Sequence, residues 1–296
     1  MIRDFIASDA PAVVALQRRL NPDWPVDEAS LLNDFERQPP AAEWRMWVTD
    51  SGYAMARRLW EVTPAGGAYV WAGVAPERRR RGIGSALLAT ALAHAAGLGV
   101  DRVQTWCRPE SAEFLERRGW VRARERVISA VGRGAVAMPA APDGIELVPL
   151  AAVDLHDLYD LDAVAAVGEP GEEIDFGSFD DYVSNEIRRP LLDLDGSFAA
   201  LADGLPVAFS MIFRRGAVAH NGFTCTHPEW RGRGLATLVK SATLRFAFEH
   251  GVERVTTMND SENPAMLLVN ERLGYRPVRV EPQLVLSGSA LAGASA

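Results

Sequence analysis

Lysine is nearly missing from this chain. Of 31 basic residues only Lys240 is a lysine, so arginine carries the positive charge. That is a compositional bias and points to no function by itself. Cysteine is scarce too. Cys107 and Cys225 are too few for a disulfide framework and lack the spacing of a metal site, so no metal centre is expected and buried free thiols are. No apolar run is long enough to span a membrane, and residues 1–5 do not open an apolar leader, so a soluble, cytoplasmic protein is expected. A net charge of −8 excludes general nucleic-acid binding. What remains is ordinary globular composition, 48% apolar and 24% charged, over 296 residues, enough for two domains with their own cores.

One stretch organises the rest. An apolar run at 217–225 leads through Thr226, His227, Pro228, Glu229 and Trp230 into Arg231-Gly232-Arg233-Gly234-Leu235-Ala236, and a helical pattern follows to His250. A glycine-rich turn at a helix N-terminus aims backbone N–H groups at one point and suits a phosphate. Glycine lets the backbone approach a ligand, and arginine adds forked donors. The layout recurs 152 positions earlier as Arg79-Arg80-Arg81-Gly82-Ile83-Gly84, with Pro76 in the place of Pro228. The flanks keep the same offset, Gly99-Val100 against Gly251-Val252. One domain plan is used twice.

The first copy reads as a strand at 2–6, helices to about Leu20 and at 27–37, a hairpin of 44–48 with 53–60, and a strand at 68–74. The loop, a helix at 82–96, a strand at 102–106, a helix at 110–118 closed by Gly119, and an extended segment at 121–131 complete it. The second reads as a strand at 145–148, helices at 154–167 and 179–188 with an acidic loop at 168–177 between them, a hairpin of 197–202 with 205–214, and a strand at 217–226. Loop and helix at 231–250, a strand at 254–258, a helix capped by Asn263 to Arg272, and an extended run at 278–286 follow. The tail from Ser287 is expected to fray. The proline-bearing stretch before 145 reads as a linker, dividing the chain into domains at 1–134 and 145–296 with residues 135–144 between.

This order, hairpin, third strand, Arg-x-x-Gly-x-Gly/Ala loop, helix, strand and capped helix, resembles the GNAT superfamily of N-acetyltransferases, twice over. The resemblance implies an α/β fold, more strictly an α+β mixed sheet, in two tandem acyl-CoA N-acyltransferase domains. It implies acetyl-CoA as co-substrate, its pyrophosphate on Arg231, Gly232, Arg233, Gly234, Leu235 and Ala236, and in the first copy on Arg79, Arg80, Arg81, Gly82, Ile83 and Gly84. Thr224, Cys225 and Thr226 would pair their backbone with the pantetheine arm, and Asn263 would contact it.

Acetyl transfer to an amine needs removal of an ammonium proton, stabilisation of the carbonyl oxygen and a proton for the leaving thiolate. The family's base sits eleven residues before the loop arginine. That place is His220 in the second copy and Ala68 in the first. A histidine has the right pKa for a base at neutral pH. A structural histidine bonded inside the sheet is the competing reading. Four residues before the closing glycine, where many relatives carry a proton-donating tyrosine, stand Asn270 and Leu115. Asn270 can donate a hydrogen bond but not a proton as a phenol does. Arg108 stands where Asn263 does. Chemistry is therefore expected in the second domain, by direct attack of a primary amine on a small molecule or peptide, the first domain being non-catalytic. Glu169, Glu172, Glu173 and Asp175 lie where the family's acceptor would enter, and their plainer reading is a solvated acidic loop. A non-catalytic acyl-CoA sensor or scaffold is the alternative, and both copies active on different substrates a further one. Monomer and homodimer are both open.

Overall fold

The computed structural model describes residues 1–59, 62–63, 67–167, 173–174, 177–288 and 291. The chain divides into unit 1, Met1–Pro22, Val26–Arg126 and Val280–Ala296, and unit 2, Asp23–Pro25 and Val127–Arg279.

Unit 1 runs β1 (Arg3–Asp4), α1 (Ala10–Leu20), α2 (Glu28–Glu36), β2 (Arg45–Thr49), β3 (Gly52–Arg58), β4 (Gly67–Val74), α3 (Ile83–Gly97), β5 (Arg102–Trp106), α4 (Pro109–Glu116) and the first half of β6 (Val121–Gly132). Strands β1 to β4 pair antiparallel in order, and β4 pairs β5 in parallel. Side chains alternate across the sheet. Ala54 and Ala56 of β3 face Leu87, Leu88, Ala91 and Leu92 of α3. Tyr53, just before Ala54, joins Val13 and Val14 of α1 and Leu31 of α2 on the other face.

Unit 2 continues with the second half of β6, then β7 (Ile145–Pro149), α5 (Leu155–Ala166), α6 (Phe179–Tyr182), β8 (Phe198–Ala202), β9 (Leu205–Arg215), β10 (Val218–Thr226), α7 (Leu235–Glu249), β11 (Arg254–Asp260), α8 (Pro264–Arg272) and β12 (Arg276–Ser287). Its strands β7, β8, β9 and β10 pair antiparallel in order, and β10 pairs β11 in parallel. Phe209 and Met211 of β9 pack with Leu158 and Leu161 of α5, whereas Ala208 and Ile212 face the α7 side. Helix starts are where their caps put them: Asp154 accepts from the His156 N–H, Ser178 from Asp181 and Asn263 from Met266. The helix expected over 179–188 is two pieces, because after Tyr182 the backbone widens into a π-helical turn, Val183–Ile187.

The units do not follow a cut at 135–144. Residues 134–142 are irregular, as a linker should be, but Val127–Gly132 belong to unit 2 and Val280–Ala296 to unit 1. Gln283–Ser287 of β12 pair antiparallel with Arg102–Trp106 of β5, so the last strand of the chain closes unit 1. The Arg126 guanidinium holds it by donating to Glu281 Oε2 at 2.7 Å, and lies over the Trp106 ring at 4.6 Å. Both cysteines are free; burial pushes the Cys107 thiol up to about 11. Among the described residues no helix is long and apolar enough to cross a membrane.

Candidate functional site

In unit 2 the parallel ladder between β10 and β11 covers only Val218↔Arg254, Ala219↔Val255 and His220↔Thr256. One further link follows, from the Thr257 hydroxyl to the Asn221 carbonyl at 3.2 Å. Beyond it β10 is paired on its β9 side alone, out to Thr226, and the two strands part. The pairing with β9 is itself broken. Ser210 faces Thr224 and Ile212 faces Asn221, so Gly222 and Phe223 stand opposite the single residue Met211. Such a bulge bends the strand and interrupts the ladder. A Cβ at Gly222 would meet the Phe213 ring at 2.6 Å, so only glycine fits there.

The strand runs from this bulge into the loop. Gly232 and Gly234 have φ of 78° and 82°, and Gly234 is the N-cap of α7. A side chain at either would meet nothing within 4 Å, so the space above the loop is open to a ligand. The unpaired N–H groups of the first turn of α7 give that space a partial positive charge. The arginines brace this loop as well as charge it. Arg231 donates through Nε to the Thr226 carbonyl at 3.3 Å and through Nη2 to the Ala165 carbonyl at 3.1 Å. Arg233 lies over the Trp230 ring at 4.4 Å and donates to the Glu229 carbonyl at 3.2 Å.

Thr224 and Cys225 are buried, Cys225 within the core formed with α5. The Thr224 hydroxyl sits 2.9 Å from the Ser210 hydroxyl, and Asn221 Nδ2 donates to Ser210 Oγ and to the Met211 carbonyl, both at 2.8 Å. This polar network lies inside the sheet, beside the parting strands. His220 is 5% exposed and its Nδ1 is 3.2 Å from the Thr256 hydroxyl. The Trp24 indole covers it, ring centroids 4.1 Å apart.

Alternation separates the two residues singled out for chemistry. His220 and Thr256 lie on one face of the strand pair. Ala219 and Val255 pack with α7 on the other, and Asn259 meets Asn270 of α8 there. Asn270 is 2% exposed, and its Nδ2 donates to Asn259 Oδ1 at 2.6 Å. Its own Oδ1 is buried without a hydrogen-bond donor among the described residues. Asn270 also lines a cavity of about 610 Å³ with Ser129, Leu267, Leu268 and Tyr275. Asn263 spends its Oδ1 on the Met266 N–H at 3.1 Å as cap of α8, which leaves its Nδ2 for other work. On the α5 side, Asp162 is 3% exposed, and burial together with Asp162 pushes the Tyr182 hydroxyl upward. Glu169, Glu172 and Asp175 lie outside the described residues, as do the side chain of Glu173 and the whole of Trp60.

Unit 1 repeats the frame with other groups at the parting strands: Tyr69 and Gln104 stand in register where His220 and Thr256 do. Its parallel ladder also ends early, at Tyr69↔Gln104, and Arg79 Nε donates to the Val74 carbonyl at 3.3 Å as Arg231 does to Thr226. Gly82 caps α3 at φ 80°, but Arg80 takes the place of Gly232 and is held at φ 62°. The β3–β4 ladder runs from Gly52↔Val74 to Arg58↔Ala68 with no bulge. Ala68 is fully buried, Leu115 is core, and Arg108 is turned to the Leu20 carbonyl and to Asn21 Oδ1.

Sequence reasoning missed Trp24, Thr256, Ser210 and Asn221. For Ser210 and Asn221 a signal exists: polar residues at inward places of largely apolar strands. For Trp24, in the break after α1, there is none.

Comparison with known proteins agrees with this geometry. The model of the acetyltransferase (GNAT) family matches the chain twice, over residues 11–120 and 154–275. A mycothiol acetyltransferase of Clavibacter michiganensis subsp. michiganensis is 30% identical over 215 residues, 71% of this chain and 69% of that protein. One from Nocardioides sp. is 27% identical over 272 residues, 85% of this chain and 87% of the relative. Among solved structures, a tandem GNAT protein from the clavulanic acid biosynthesis pathway superposes with a TM-score of 0.77 at 22% identity, covering 97% of this chain and 98% of that one. A GCN5-related N-acetyltransferase from Sphaerobacter thermophilus gives 0.73 at 19% identity, with 97% and 95% covered.

Proposed function

The chain belongs to the acetyltransferase (GNAT) family, and from that premise we propose that unit 2 transfers an acetyl group from acetyl-CoA to a primary amine by direct attack. The observation that carries this reading is the parting of β10 from β11, at a strand that leads into the Gly232–Gly234 loop and buries a histidine, His220, which unit 1 lacks at the matched place. When bound, acetyl-CoA supplies an acyl group activated as its thioester. The loop N–H groups and the arginines at 231 and 233 would hold its phosphates, the freed edge of β10 at Thr224–Thr226 its arm, and Asn263 Nδ2 would add a donor. Residues 79–84 could hold a second cofactor by the same loop geometry in unit 1. His220 would take the proton of the acceptor ammonium, freeing the nitrogen lone pair. The new C–N bond forms as the C–S bond breaks, and the thiolate leaves. Asn270 would stabilise that sulfur by hydrogen bonding, its proton coming from water or from the acceptor.

The relatives' name makes the mycothiol series the first acceptors to try, alongside small-molecule and peptide amines. The test is thiol release from acetyl-CoA over that panel, with the acetylated product identified by mass spectrometry. Turnover with a primary amine supports the reading. One observation favours a second reading, a non-catalytic acyl-CoA-binding protein: His220 is almost wholly buried, with a ring face under Trp24. Acetyl-CoA binding with no turnover of any acceptor would select it.

A further inference from the structure

We propose that Asp23, Trp24 and Thr256 form a positioning device for His220, holding its imidazole in the tautomer that accepts a proton through Nε2. The proposal rests on His220 as the base of the reaction above.

Residues Asp23–Pro25 precede α2 in the chain yet belong to unit 2. Two contacts hold Asp23 there. Its carboxylate pairs with Arg254 Nε at 3.0 Å, and its carbonyl oxygen lies 3.4 Å from the Thr256 hydroxyl. Trp24, next in sequence, is thereby laid on the imidazole, its ring tilted 38° and the residue still 40% exposed. An indole there excludes water from one ring face and resists rotation of the imidazole.

Thr256 sets the proton. Among the described residues its hydroxyl has three neighbours: His220 Nδ1 at 3.2 Å, the Ala219 carbonyl at 3.3 Å and the Asp23 carbonyl at 3.4 Å. A hydroxyl has one hydrogen to donate, and carbonyl oxygens only accept. The hydrogen therefore goes to a carbonyl, and the oxygen is left to accept from Nδ1–H. A neutral imidazole with its hydrogen on Nδ1 carries its lone pair on Nε2. This is the arrangement of a base oriented by a third group. Unit 1 is built differently here, since Tyr69 and Gln104 hold the register places of His220 and Thr256.

The test uses the full chain with Trp24→Ala, Trp24→Phe, Thr256→Val and, as reference, His220→Gln. Trp24→Ala and Thr256→Val should each lower kcat by roughly 10-fold to 100-fold with KM for acetyl-CoA unchanged, the size of a misplaced catalytic group. Trp24→Phe, which keeps a flat ring, should restore most of kcat. Nitrogen-15 spectra of the histidines, with His220 assigned by its loss in His220→Gln, should show Nδ1–H in the wild type and a mixture of tautomers in Thr256→Val. Unchanged kcat in both Trp24→Ala and Thr256→Val would overturn the proposal, as would an Nε2–H signal in the wild type. A rise of kcat in Trp24→Ala would also overturn it and make the indole a cover over the site. If His220→Gln keeps full activity, the base assignment falls instead, and the spectra still decide the tautomer.

Discussion

Units 1 and 2 share a frame and differ in what fills it. Each has a parallel strand pair that parts after a few residues, an arginine tied back to the end of the strand, and a left-handed glycine that starts a 15-residue helix. Those features serve the loop. At matched places around it, unit 2 has His220, Thr256, Lys240 and Asn270 where unit 1 has Tyr69, Gln104, Leu88 and Leu115. Unit 1 also buries polar groups, Gln104 and Thr105, but has no histidine, lysine or asparagine at those places. Unit 2 keeps buried polar groups, which cost stability unless they are paired or used. A loop kept in both units and a buried histidine kept only in unit 2 support assigning the chemistry to unit 2.

The largest expected effect comes from removing the base that sets unit 2 apart. His220→Gln should lower kcat by about 10²–10⁴-fold, the usual contribution of a general base, while acetyl-CoA binding measured by calorimetry stays intact. A drop in binding with kcat unchanged would move His220 out of the chemistry.

Next is Lys240, which is 1% exposed with its Nζ 5.5 Å from the centre of the Tyr275 ring. Burial pushes its pKa down to about 7 from 10.5. Between those values the unfolded chain binds the proton and the folded chain does not, so folding stability should rise as pH rises from about 7 towards 10.5. Lys240→Leu, the residue of unit 1, should flatten that slope and raise the unfolding temperature at pH 7. Thermal melts across the window check both, and an unchanged slope would show that the amine reaches water.

A smaller effect is expected at the loop backbone. Arg80 is held at φ 62°, where a side chain is strained by about 1–2 kcal/mol. Arg80→Gly should relieve part of it, offset by the greater freedom glycine has in the unfolded chain, for a net gain of about 1 kcal/mol or less. Gly232→Arg should lose a similar amount. Denaturant midpoints of the two variants should move in opposite directions, and movement in the same direction would break the loop equivalence.

How much of this was legible in the sequence follows from the range of the forces. The strands, the loop and the caps at Asp154 and Asn263 rest on periods and residues within a few positions, and they stand where the sequence puts them. The expected mixed α/β sheet and the twofold use of one plan are also present. The partner of β12 was not legible, because an alternating strand declares its faces and not its neighbour. Nor was the bulge opposite Met211, since one extra residue leaves the composition of a strand unchanged. Trp24 was least visible of all: it sits in a helix break, and only the fold of the chain brings it to His220. His220 and Asn270 were found by counting from the loop, but their lying on opposite faces of the strand pair follows from register.

The most direct measurement makes the same change in both loops. Gly234 and Gly82 have φ of 82° and 80°, cap equivalent helices and face open space, so replacement by alanine strains each alike. The rate of amine acetylation by Gly234→Ala and Gly82→Ala should then differ, with activity falling in the first and holding near wild type in the second. Loss of activity in Gly82→Ala with Gly234→Ala unaffected would contradict the assignment of the chemistry to unit 2.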